Sequence, residues 1–239
     1  MQLKPDPEAF HNLEAILKSR KVSLGNHPER VRVLVGREYA EIPSACVCCL
    51  ADIPVQHLGY HANRYGKFAI GFHRDAAVKQ DFNPVFYSLE EGKVVQSVYR
   101  GFSKLEGFDA FVLESATPDR WSTLGELSGD IEAPRFERTS VSERASVTRE
   151  ALRFAYEELR QFVAFVKTFQ KDEFGSIYCE REWRALEAFR FAYHDVAMIV
   201  LPHGHAEDSY FKDFVNRVVP ELQLPRSIPV VPWEDLVEH

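Results

Sequence analysis

Residues 152–169 read LRFAYEELRQFVAFVKTF. Within them Leu152, Ala155, Leu159, Phe162, Val166 and Phe169 recur at alternating spacings of three and four, which places all six on one stripe of an α-helix. The spacing predicts one long amphipathic helix whose stripe either packs on a sheet or forms a partner seam. Before it, 117–140 is polar, carries Pro118 and Pro134, lacks periodicity and reads as a long loop, while 93–115 reads as mixed and mainly helical. After Gly175 the pattern turns to strand at Ser176–Arg184 and Asp195–Leu201, then to a helix near Asp208–Val219 and a strand at Ile228–Val231.

The first third also alternates. Asp6, Pro7 and Glu8 open a helix in which Phe10, Leu13 and Leu17 share a face. Val31–Val35 and Ala45–Leu50 read as strands, and a short helix carrying His57, His61 and Tyr65 ends at Gly66. Strands at Phe68–Phe72 and Pro84–Leu89 follow, separated by a helical turn near Ala76. Strands therefore flank a helical stretch. The expectation is an α+β fold: one domain over 1–239, with a single central mixed or antiparallel sheet and a helical and loop insertion at about 90–172.

Composition narrows the function. The chain is 45% hydrophobic and 27% charged, so it can bury a core. No apolar run approaches the roughly 20 residues of a membrane span, and Met1–Pro7 shows no secretory stretch. A cytoplasmic protein is expected. A net charge of −7 argues against broad phosphate-backbone binding by this chain alone. The cluster Cys46-Val47-Cys48-Cys49 lies in an apolar stretch and lacks the paired spacing of a zinc site, so no metal is expected.

Two segments resemble a known family. One runs Cys49-Leu50-Ala51-Asp52-Ile53-Pro54, continues through His61-Ala62-Asn63-Arg64-Tyr65-Gly66 to Phe72, and reaches Asn83-Pro84-Val85-Phe86-Tyr87. The other is Lys167 followed by Tyr178-Cys179-Glu180-Arg181-Glu182-Trp183-Arg184. Their order and spacing resemble the AbiGi family of abortive phage-resistance proteins, over about Phe10 to Leu201. The resemblance implies the antitoxin half of a two-gene system, whose partner is a nucleotidyltransferase-like toxin encoded nearby. Two departures stand out. Leu50-Ala51 replaces a common Phe-Thr, and only nine residues, none of them His, precede Phe10, where members carry a His-bearing strand; that strand is absent or the start lies upstream.

The same residues suggest a site. As a strand, Glu180, Glu182 and Arg184 share one face, opposite Arg181 and Trp183. Such a face is a catalytic carboxylate with its orienting partner, or a structural ion ladder. His61 and Tyr65 are neighbours at i and i+4, and Asp52 sits at a strand end. Two functions follow. The first is a subunit that acts by protein–protein interaction and calls for no cofactor. The alternative is an ADP-ribosyltransferase-like or other nucleotide-handling enzyme, taking nicotinamide adenine dinucleotide (NAD). It would use Glu182 with Asp52, His61 or Tyr65, supported by Glu180 and Arg184; that likeness rests on fold analogy.

Overall fold

The computed structural model describes residues 6–54, 57–114, 141–173, 180–204 and 209–237, with backbone alone for 106–114 and 141–149. The expected loop at 117–140 and the start of the strand expected from Ser176 lie outside the described residues. The fold is α+β, and its described strands form five small sheets rather than the single central sheet expected from the pattern.

Helix α1 (Asp6–Ser19) buries Leu13 and Leu17 and carries Asp6 and Glu8 in its first turn, where the helix dipole favours acids. It leads through β1 (Lys21–Val22) to a hairpin, β2 (Arg30–Val35) and β3 (Glu38–Pro43), paired in register from Arg30↔Pro43 to Val35↔Glu38. Gly36, at φ 67°, supplies the left-handed backbone its tight turn needs. Strand β4 (Cys48–Ala51) and helix α2 (Leu58–Tyr65) follow. Gly66, at φ 94°, ends α2 by donating its N–H to the Ala62 carbonyl at 2.8 Å.

Next come β5 (Ala69–Phe72), α3 (Arg74–Val78), β6 (Asn83–Pro84) and β7 (Phe86–Leu89). Helices α4 (Lys93–Glu114) and α5 (Val141–Val163) lead to β8 (Val166–Phe169), which pairs in parallel with β7. Strand β9 (Glu182–Ala185) lies between β4 and β6, both antiparallel to it. Strand β10 (Phe189–Arg190) pairs with β1, and β11 (Val196–Leu201) lies between β5 and β12 (Val230–Pro232).

Short strands and broken ladders account for the separate sheets. The gap between β2 and β8 is bridged by a side chain, since the Arg32 N–H donates to Thr168 Oγ1 at 3.1 Å. The helical stripe is corrected as well. The helix ends at Val163, so Val166 and Phe169 belong to β8. The inward face of α5 is Leu152, Tyr156, Leu159 and Val163, whereas Ala155 is exposed and Phe162 is 56% exposed.

Two hydrophobic cores result. The first gathers Leu13, Leu17, Phe189, Ile199, Leu201 and Phe214 under β9, β11 and α1. Phe72, Phe82 and Phe191 meet Phe189 at ring distances of 4.8 to 5.9 Å. The second gathers Val31, Val33, Ile42, Val95, Phe102, Val163 and Val166 between the hairpin and helices α4 and α5.

Candidate functional site

The polar site lies on the seam between these cores, and strand alternation builds it. Along β9, Trp183 and Ala185 turn to the first core, while Glu182 and Arg184 turn the other way, toward β8. Glu180 lies in a turn just before the strand, and Arg181, at φ 41°, bends the chain between them. The expected three-residue strand face is therefore corrected to two strand residues plus a turn residue. Glu180 and Glu182 nevertheless meet, because Lys167 of β8 bonds both.

Lys167 Nζ donates to Glu180 Oε2 at 2.5 Å and to Glu182 Oε2 at 2.8 Å. The other Glu182 oxygen, Oε1, accepts from Arg184 Nε at 2.9 Å. Arg184 is 1% exposed, and its Nη1 donates to the Ala164 carbonyl at 2.6 Å. Glu180 Oε1 accepts from Arg64 Nη1 at 2.5 Å and from the Tyr65 hydroxyl at 3.1 Å. The backbone N–H of Glu182 donates to the Tyr87 hydroxyl at 2.8 Å. His61 stacks on Tyr65 at a ring distance of 4.3 Å.

These contacts fix the charges. Burial would raise the Glu182 carboxyl, but Arg184 and Lys167 outweigh it and hold it at about 2. Burial and the Glu180 charge push the Tyr65 hydroxyl up to about 12. Burial lowers His61 against the opposing pull of Glu180, so the imidazole stays neutral near pH 7. Burial would likewise lower Lys167, yet the two carboxylates raise it. Cys49 lies opposite Arg184 on the neighbouring strand, and burial, together with the nearby Glu182 carboxylate, raises its thiol well above its ordinary range.

Asp52 stands apart. Its Oδ2 accepts from Arg74 Nη2 and Arg181 Nη2, each at 3.0 Å. Of the residues singled out in the sequence, then, Glu180, Glu182, Arg184, Tyr65 and His61 form one linked cluster, and Asp52 belongs to a neighbouring arginine pair. Lys167, Arg64 and Tyr87 complete the cluster, and spacing alone did not assign them roles. The signal was present, because all three lie in the segments that carry the family resemblance.

The carboxylates already hold cationic partners. A cofactor or metal ion seeking them would have to displace Lys167, Arg64 or Arg184. The chemistry within reach is an ion-paired clasp of β9 and α2 to β8 and the end of α5.

The chain is an α+β protein that matches a family of abortive-infection proteins. The family model described as "Putative abortive phage resistance protein AbiGi, antitoxin" matches residues 32–234, and the chain belongs to that family. No curated protein and no solved structure matches it. Among the described residues no helix is long and apolar enough to cross a membrane.

Proposed function

We propose that this chain works as the antitoxin-like subunit of an abortive-infection pair by binding its partner protein, and that the partner is a nucleotidyltransferase-like toxin encoded nearby. Family membership supplies the phage-resistance role and the need for a toxin. The observation that supports binding over catalysis is the saturation of Glu182. Both of its oxygens are bonded, by Arg184 and Lys167, and its carboxyl is held at about 2. A carboxylate so held is a poor acceptor for a proton from a substrate hydroxyl at neutral pH. The buried network instead fixes the relation of the two cores, which a surface presented to a partner requires.

Co-expression with the product of the adjacent gene tests the reading. The expected result is relief of growth arrest, a complex that survives size exclusion, and loss of the partner's nucleotide transfer within that complex. Relief of arrest without a complex at micromolar concentration overturns it.

A further inference from the structure

We propose that Arg74 and Arg181, held by Asp52, form an anion clamp that takes a carboxylate from an acidic segment of a protein partner. The identity of that segment's owner rests on the antitoxin reading; the clamp itself does not.

Both guanidiniums converge on one oxygen, Asp52 Oδ2, at 3.0 Å each. Their side chains remain 66% and 49% exposed, while Asp52 is 31% exposed. The cations face solvent and their carboxylate lies beneath them. Arg181 is fixed by its left-handed backbone at φ 41°, and its carbonyl accepts the Asp52 N–H at 3.0 Å. Each guanidinium carries five N–H donors, and one nitrogen of each serves Asp52. Outward donors therefore remain on two neighbouring, pre-positioned forks, the geometry that suits a carboxylate.

Charge counting sets this trio apart. Two arginines share one acid, which leaves one positive charge over. The other exposed ion pairs among the described residues leave no cation over. Arg64, 47% exposed, belongs to a network in which Arg64, Lys167 and Arg184 meet Glu180, Glu182 and Glu29. Arg32 meets Glu90 and Arg160 meets Glu157 one to one. Arg30 meets Glu41 and Lys171 meets Glu91 one to one, and Arg217 faces Glu14, Asp213 and Glu221 together. The undescribed stretches nearest in sequence, 55–56 and 174–179, contain no acidic residue. The excess is local to a chain of net charge −7. That balance favours a short acidic segment over a nucleic acid. An extended polyanion would meet the repulsion of the whole chain, and two arginines release few counterions.

The test uses the purified chain with three probes: hexaglutamate, a single-stranded hexanucleotide and inorganic phosphate. The expected result is saturable binding of hexaglutamate that weakens with salt. Arg74→Gln and Arg181→Gln should each lower that affinity about tenfold or more, the loss of a charge-assisted hydrogen bond. Arg217→Gln should leave it unchanged. Should Arg181→Gln fail to fold, Arg74→Gln decides alone. No binding of hexaglutamate, tighter binding of the hexanucleotide, binding of phosphate only, or equal affinity in Arg74→Gln overturns the clamp. The assay contains no toxin, so its outcome is independent of the antitoxin reading. If a toxin complex forms and Arg74→Gln leaves it unchanged, the clamp is not the partner's site and the antitoxin reading stands.

Discussion

Lys167 Nζ donates to Glu182 Oε2 at 2.8 Å, joining strand β8, which serves the second core, to strand β9, which covers the first. The same ammonium bonds Glu180, so one cation serves two acids that are 6% and 11% exposed. Lys167→Met would leave both acids one partner short in a poorly solvated place. Breaking one side of a buried ion pair costs about 3–5 kcal/mol. Urea unfolding at pH 7 should show a loss in that range with an unchanged m-value. A loss no larger than that of an exposed pair, under about 1 kcal/mol, would show that the seam does not depend on this lysine.

The pH dependence follows from Glu182. Its carboxyl is held at about 2, below its ordinary 4.5, since Arg184 and Lys167 outweigh burial. The folded state therefore binds its proton more weakly than the unfolded state. The stabilisation is fully present above about pH 4.5 and fades as pH falls toward 2. It amounts to about 3 kcal/mol at neutral pH. Glu182→Gln should lower stability at pH 7 by about that much and flatten the decline between pH 4.5 and 2. Parallel acid-unfolding curves for the two proteins would contradict this.

Much of the fold was readable because local signals and tertiary packing agree. The helix opened by Asp6, the strand at Val31–Val35 and the stop at Gly66 all occur where the pattern places them. The hairpin partner Glu38–Pro43 was missed, although Gly36 marks its turn; its exposed polar residues hide the alternation. The end of α5 was not readable at all. No Gly or Pro stands between Val163 and Val166, and the helix stops where Arg184, far along the chain, takes the Ala164 carbonyl. A distant side chain decides that boundary. The same holds for the site. Motif order grouped its residues, but only the fold shows that Lys167 bonds both acids while Asp52 pairs with arginines.

The revised face of α5 separates two substitutions that the repeat alone would treat alike. Leu159 packs against Val163 and the second core, whereas Phe162 is 56% exposed. Leu159→Ala should cost about 2 kcal/mol, the low end for a core leucine because Leu159 is only partly buried. Phe162→Ala should cost about 0.5 kcal/mol. Chemical denaturation of both variants checks the order. A larger loss at Phe162 would restore the six-residue stripe as the packed face.

Cys49 gives the last prediction, because its exposure and its chemistry point in opposite directions. The residue reaches solvent, which by itself suggests a reactive thiol. Burial is the larger cause that raises its thiol, and the negative charge of the nearby Glu182 carboxylate opposes a second one beside it. Only the thiolate attacks an alkylating reagent, so the raised thiol should react slowly despite its access. At pH 8, iodoacetamide should modify Cys49 more than about tenfold slower than a free cysteine in a short peptide. Site-resolved mass spectrometry distinguishes it from the other three cysteines. Glu182→Gln separates the two causes, provided the reaction is run where that variant is still folded. If the carboxylate contributes, the variant's Cys49 should react faster while its accessibility is unchanged. If burial alone is responsible, the rates should match. A wild-type rate equal to that of the peptide thiol would refute the arrangement. It would also make Cys49 a candidate nucleophile on the very strand that flanks Glu182.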